Sequence, residues 1–210
     1  MTLETWLAFF VACWLISLSP GAGAISCMAA GLRFGFRRAA WNIAGLILGI
    51  NFMLAIVAIG LGAVLAASSV AFAIVKWVGV AYLVYLGIQQ WRAPAFAVSA
   101  DAGENLLGAT PRELLFRGFL VNATNPKGVL FMLAVLPQFI DPSAPQAIQY
   151  AICAATLSFT DVVVMSGYTM FAARVLRLLR EPRHIRAMNR TFGGLFVAAG
   201  AALATFKRAA

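Results

Sequence analysis

Two charged side chains fall inside long apolar stretches of this sequence, where a charge is costly. Lys127 lies within one stretch, and Asp161 lies midway along another. A charge at the centre of a membrane costs about 3 kcal/mol on insertion scales, so such residues are retained for function. A lysine can bind a carboxylate, and a buried acid can bind an ammonium group or relay a proton. The two residues predict either a polar site at mid-membrane or a structural ion pair that transports nothing.

Lys127 lies in one of two helix-breaking segments. These segments occupy matching places in the two halves of the chain. The first is Ser19-Pro20-Gly21-Ala22-Gly23 and the second is Asn122-Ala123-Thr124-Asn125-Pro126-Lys127-Gly128, with the prolines 106 positions apart. Unwound backbone at membrane depth is tolerated only where it lines a protein cavity. Paired breaks in corresponding segments indicate the substrate site of a transporter. The alternative is that each proline only kinks a packed helix.

The candidate site residues follow from these breaks and from the charges. Asn125 can cap a helix and Pro126 suits a first helical turn, so a half-helix beginning there would direct its positive end at a ligand carboxylate. Asn51 is the polar residue of the second apolar segment and either lines the site or bonds a neighbouring helix. Thr124 is a further candidate contact. The predicted site comprises Pro20, Gly21, Asn51, Asn122, Asn125, Pro126, Lys127 and Asp161.

These residues must be positioned by helices that cross a membrane. Of the 210 residues, 62% are hydrophobic and 11% are charged, whereas a soluble domain has about 25% charged residues. Segments long enough to span are found at roughly 3–31, 39–66, 70–91, 114–138, 147–173 and 188–206. A polar stretch, 93–111, predicts a mobile cytoplasmic loop between half-repeats at about 1–92 and 112–208. The predicted fold is an all-α membrane protein, a single transporter domain of six transmembrane helices forming a 3+3 inverted repeat, with helices one and four broken.

The arginines indicate which side of the membrane each linker faces. They cluster between Arg33 and Arg38, between Arg92 and Arg117, and between Arg174 and Arg190, while the second and fourth linkers carry no Lys or Arg. The positive-inside rule therefore places the arginine-rich linkers in the cytoplasm and both termini in the periplasm. The Arg174–Arg190 linker also predicts contact with anionic lipid. Because the charges lie between spans, the net charge of +9 does not indicate a nucleic-acid partner.

Other chemistries find little support in the sequence. The three cysteines are isolated, and His184 lies in an arginine-rich linker, so no metal or cofactor is expected. An intramembrane hydrolase would need an activated nucleophile, such as Ser17, Ser19 or Ser26, with Lys127 as its base. A channel would need an open polar path instead of a closed site. We therefore expect a carrier and not an enzyme.

The two breaks also resemble the signature motifs of the LysE superfamily of amino-acid exporters, and within it the RhtB branch. The motifs here are Leu18-Ser19-Pro20-Gly21 and Thr124-Asn125-Pro126-Lys127. Further matching stretches lie at 17–25, 76–82, 86–92, 137–140 and 188–193. The resemblance implies inner-membrane export of small amino acids and derivatives by proton antiport. Homoserine and its lactone are the favoured substrates, and threonine, another amino acid or a small amine is the alternative.

The sequence departs from the family pattern at two places. Ala22 and Gly23 follow the Ser-Pro-Gly motif, where many members have a second proline. Ile50 follows Gly49, where many members have an acid in the second span. If that acid binds an amine or carries a proton elsewhere in the family, Asp161 must act without it here.

Overall fold

The computed structural model describes residues 1–67, 69–93, 108–172, 174–175 and 181–205. These residues are nearly all helical, and no strand is found among them, which confirms the predicted all-α class. The helices are α1 (Leu3–Leu18), α2 (Ala22–Ala67), α3 (Ser69–Arg92), α4 (Pro111–Ala123), α5 (Pro126–Ala134), α6 (Gln146–Met170) and α7 (Pro182–Thr205), with a 3-10 turn at Leu136–Phe139. The predicted loop 93–111 and the Arg174–Arg190 linker lie partly outside the described residues.

Length and apolar composition mark several of these helices as candidate membrane spans. Within the described ranges, residues Ala22–Gly60 of α2 and the whole of α6 are long and apolar enough to cross. The segments Pro111–Ala123 and Pro126–Phe139 form a third span if they are taken together, and they are bent by 52° at the second predicted break. The first predicted break also appears, because α1 ends at Leu18 and α2 begins at Ala22.

Helix α2 is two antiparallel arms and not one straight rod. Gly35 has φ 70° and ψ 172°, a conformation that glycine adopts without steric cost because it has no Cβ. Ser26 Oγ lies 3.2 Å from Asn42 Oδ1, and Gly23 packs against the Leu46 side chain. In a straight helix Gly23 and Leu46 would be about 35 Å apart. The chain therefore folds back at Gly35, giving a first arm (22–34) and a second arm (36–67), and the linker expected between the first two spans is a single-residue turn.

Close approach of helix backbones fixes how these elements pack. Helix α4 lies along α2, α6 lies against α2, and α7 lies along α3. A side chain at Gly45 would meet Leu115 O, and a side chain at Gly118 would meet Asn42 O. Small residues permit such contacts between membrane helices. Gly45 and Gly118 therefore permit close packing of α2 against α4, whereas a Cβ at Gly60 would have nothing within 4 Å.

We predict that Gly118→Ala destabilises the protein and that Gly60→Ala does not. The added methyl at residue 118 would collide with the backbone of the second arm, which cannot move aside as a flexible side chain can. Overpacking of this kind costs about 1–3 kcal/mol. Thermal unfolding of the detergent-solubilised protein measures the difference, with Gly60→Ala as the matched control. Equal melting temperatures for the two variants would show that the α2–α4 contact is not as close as described.

Two apolar clusters flank the place where the breaks meet. One surrounds Phe9, Ile50 and Phe131, and the other surrounds Ala24, Leu46 and Met165. The three cysteines are free and buried, where a thiol packs as a small apolar side chain. Several polar side chains near the breaks are buried as well: Ser17, Ser19, Asn122 and Asp161.

Candidate functional site

The first break separates α1 from α2 by a short extended segment. The backbone is extended at Ser19, with φ −69° and ψ 113°, as expected for a residue that precedes proline. The first helical hydrogen bond of α2 runs from Ile25 N–H to Gly21 O at 3.1 Å. The amide groups of the first turn, beginning at Ala22, therefore have no acceptor within the helix.

The second break has nearly the same backbone conformation. Asn125 has φ −69° and ψ 110°, and its side chain accepts a hydrogen bond from Lys127 N–H at 3.1 Å. Pro126 occupies the first turn of α5, and Val129 N–H donates to Asn125 O at 2.9 Å. The predictions that Asn125 caps a half-helix and that Pro126 begins it are confirmed.

The N-terminal ends of both half-helices meet at one cavity. It is lined by residues from both breaks and from α6 and the second arm of α2: Ile16, Ser17, Ser19, Gly21, Gly23, Ala24, Leu46, Ile50, Asn122, Asn125, Lys127, Gly128, Asp161 and Met165. The centre of a water molecule can move over about 40 Å³ of this space. One water needs about 10–15 Å³ by this measure, so the cavity holds a few waters and must widen to admit an amino acid.

Lys127 joins the second break to the first. Its Nζ donates to Ile16 O at 3.0 Å and to Ser19 O at 2.6 Å, which are carbonyls at the C-terminal end of α1. A cation is favoured there because that end of a helix carries a partial negative charge. Nζ also lies 5.9 Å from the ring centroid of Phe196, within the range of a cation–π interaction. An ammonium group has three donors, so one remains for a ligand.

Asp161 is buried and contacts the same segment of α1. Its residue surface is 5% exposed, and Oδ1 accepts a hydrogen bond from Ser17 Oγ at 2.5 Å. The ion pair between Asp161 and Lys127 expected from the sequence is absent from this structure. Groups at the end of α1 bond both charges, and both charges line the same cavity.

The remaining predicted residues divide into cavity-lining residues and structural residues. Gly21, Asn122 and Asn125 line the cavity with Lys127 and Asp161. Pro20 and Pro126 are not among the lining residues, although they set the backbone geometry of the breaks.

Two predicted contacts are made away from the cavity. Asn51 Nδ2 donates to Ile47 O and to Ser158 Oγ, each at 2.8 Å, so this side chain links two helices instead of lining the site. Thr124 is exposed and donates to Leu120 O at 2.7 Å. Of these three hydrogen bonds, the one from Asn51 to Ser158 joins two helices, as polar side chains in packed membrane helices commonly do.

Ser17 and Ser19 line the cavity, although the sequence singled them out only as candidate nucleophiles. The available signal was their place within the three residues before Pro20. The Ser17 hydroxyl donates to Asp161, and Lys127 donates its protons to carbonyl groups. Lys127 is therefore not placed to accept a proton from the Ser17 hydroxyl, and this arrangement favours binding over hydrolysis.

Enlarging Gly21 tests the use of the cavity. A Cβ at residue 21 would lie 3.8 Å from Lys127 Cδ and 4.0 Å from Nζ, which are ordinary contact distances. We therefore predict that Gly21→Ala inserts and transports nearly normally, whereas Gly21→Leu inserts but loses transport because its side chain fills the cavity. Transport and membrane-inserted protein are measured for both variants in vesicles. Transport by Gly21→Leu at the rate of Gly21→Ala would show that ligands do not pass this position.

Comparison with known proteins identifies the family and several relatives of this chain. The LysE type translocator family matches residues 14–206. The homoserine/homoserine lactone efflux protein of Salmonella typhi is 43% identical over 210 residues, which cover 100% of both chains. An uncharacterized membrane protein of Vibrio cholerae is 39% identical over 207 residues, covering 99% of this chain and 100% of that protein.

More distant relatives carry a different substrate name. The leucine efflux protein of an Enterobacter species is 30% identical over 207 residues, covering 97% of this chain and 96% of that protein. No solved structure matches the chain. The family match spans most of the sequence and includes both breaks, Lys127 and Asp161. The chain belongs to the LysE family of membrane translocators.

Proposed function

We propose that this protein exports homoserine and homoserine lactone from the cytoplasm. The observation that carries the proposal is a cavity at the meeting point of two broken helices, lined by a buried acid, Asp161, and a half-buried lysine, Lys127. Relatives that match over their full length at 43% identity have homoserine and its lactone in their names, whereas the leucine efflux relatives are more distant. Export of leucine or threonine is the alternative outcome of the transport test.

The cavity has the charges that an amino-acid zwitterion requires. Asp161 can accept the ammonium group, which homoserine and its lactone share. The remaining donor of Lys127 and the N-terminal end of α5 can hold a carboxylate. The lactone lacks a free carboxylate, so we expect Asp161 to be the charged contact common to both substrates.

Asp161 is also the residue that we propose couples export to protons. In alternating access, the substrate amine leaves Asp161 on the periplasmic side and a proton takes its place. The protonated acid then returns to the cytoplasmic side without a net negative charge in the cavity, where such a charge is costly. The family acid in the second span is replaced by Ile50 here, so we assign coupling to Asp161 alone.

For the architecture we propose six spans in two inverted halves. Ser19 and Asn125 are 106 positions apart and have nearly equal backbone angles. Gly87 and Gly193 are separated by the same number of positions, and a Cβ on either would meet the carbonyl oxygen of the other. A contact between equivalent residues is expected on a pseudo-two-fold axis. The antiparallel arms of α2 support separate first and second spans.

The arginine distribution supports an inner-membrane orientation with both termini in the periplasm and Arg174–Arg190 against anionic lipid. We predict that a reporter fused after Ala210 is active only if it functions in the periplasm. A pair of reporters, one active in each compartment, measures this directly. A cytoplasmic signal at Ala210 would contradict the proposed topology, since either the span count or the orientation would then be wrong.

The transport test uses purified protein in vesicles loaded with labelled homoserine, homoserine lactone, threonine or leucine. We expect faster efflux of homoserine and its lactone than of leucine, and acceleration when the receiving side is acidic. The same vesicles without protein provide the background. Efflux of leucine alone would show that leucine is the substrate in place of homoserine. No efflux of any probe would contradict the proposed function.

A further inference from the structure

We infer that the Ser19 hydroxyl donates a hydrogen bond to the carboxyl end of the exported amino acid. This inference rests on the export function proposed above and adds a binding residue to that site. Ser19 is 3% exposed and lines the cavity. Its Oγ has no hydrogen-bond partner in the part of the chain that the structure describes. A buried hydroxyl without a partner is unfavourable, and a ligand in the cavity would supply the missing acceptor.

The neighbouring buried hydroxyl groups have hydrogen-bond partners, unlike the hydroxyl group of Ser19. The Ser17 hydroxyl bonds Asp161, and the Ser26 hydroxyl bonds Asn42. Asn125 holds the position equivalent to Ser19 in the second half, and its side chain caps α5 through Lys127 N–H. Ser19 does not cap its half-helix in this way, because α2 begins only at Ala22. The hydroxyl is therefore left available within the cavity.

The charges around Ser19 favour an oxygen acceptor over an amine. Lys127 Nζ is 2.6 Å from Ser19 O, so the lysine charge lies beside this residue. The unpaired amides at the start of α2 follow three residues later and add partial positive charge. Asp161, the group suited to the ammonium, is bonded instead to Ser17. A neutral hydroxyl can donate equally to a carboxylate and to the ester carbonyl of a lactone, which fits both proposed substrates.

Binding of three probes to Ser19→Ala tests the assignment. Homoserine has every group, 2-aminobutyrate lacks the side-chain hydroxyl, and 3-aminopropan-1-ol lacks the carboxyl group. Affinities are measured by calorimetry on purified protein in lipid nanodiscs. Ser26→Ala is the matched control, because its hydroxyl is buried and already paired. If Ser19→Ala does not fold, Ser19→Cys, whose thiol is a weaker donor, carries the same test.

We expect Ser19→Ala to weaken binding of homoserine and of 2-aminobutyrate by about tenfold, which is typical for the loss of one hydrogen bond to a charged group. Binding of 3-aminopropan-1-ol should not change. Losses for homoserine and 3-aminopropan-1-ol without a loss for 2-aminobutyrate would overturn the inference, since Ser19 would then bind the side-chain hydroxyl. An equal loss for all three probes, or no loss, would also overturn it. Failure of the proposed function looks different, because wild-type protein would then bind none of the probes.

Discussion

Replacing Asp161 with asparagine should abolish proton-driven export while leaving the protein folded in the membrane. Asparagine has the size of aspartate and can still accept the hydrogen bond from Ser17 Oγ, which is 2.5 Å long in the native protein. It cannot carry a charge or take up a proton, so neither the substrate amine nor the coupling proton has a site. We expect export against a concentration gradient to fall to the rate of vesicles without protein.

The control for this variant is Glu4→Gln, which removes an exposed acid from the first turn of α1. Its export should equal that of the native protein, and both variants should be inserted in similar amounts. If Asp161→Asn continues to export homoserine in proportion to the pH gradient, another group carries the proton.

Removing the lysine should have a second large effect, on folding as well as on transport. In Lys127→Ala, the carbonyls of Ile16 and Ser19 lose their donor, at about 1–3 kcal/mol for each buried group left without a partner. Asp161 also loses the cation that shares its cavity, and an uncompensated buried charge costs about 3–5 kcal/mol unless the acid takes a proton. We expect little folded protein and no export, as measured by size-exclusion chromatography of a fluorescent fusion and by vesicle transport.

Two further variants separate the effect of Lys127 on folding from its effect on transport. Adding Asp161→Asn to Lys127→Ala removes the stranded charge, so expression should recover in part while transport does not. Lys127→Arg retains the charge, but its planar group cannot reproduce the geometry of an ammonium that bonds two carbonyls. This variant should therefore fold, but its transport should be poor. Normal expression and export by Lys127→Ala would show that the observed bonds between the breaks are dispensable.

The sequence was sufficient to locate the breaks because proline acts on the backbone locally. Pro20 and Pro126 restrict the residues before them, and the extended conformations of Ser19 and Asn125 follow from that restriction. Lys127 and Asp161 could be recognised for a similar reason, since the local composition alone reveals a charged residue within an apolar stretch.

What the sequence did not predict depends on distances between helices. Lys127 bonds carbonyl groups at the end of α1 and not Asp161, and no spacing along the chain encodes where the end of α1 lies relative to the two charges. Asn51 is turned toward Ser158 for the same kind of reason. The one-residue turn at Gly35 was hidden because a linker and a tight turn have similar composition, and only the backbone angles distinguish them.

Protection of a cysteine in the cavity is the most direct test that the substrate binds where the two breaks meet. Gly21→Cys, in a background without the three buried native cysteines, places a thiol in contact with the Lys127 side chain, and a nearby cation favours the reactive thiolate. We expect homoserine to slow alkylation of this thiol by a membrane-permeant maleimide in a concentration-dependent manner. Alkylation of Arg183→Cys, at an exposed position, should not change. Equal alkylation of Gly21→Cys with and without saturating homoserine would contradict a substrate site in this cavity.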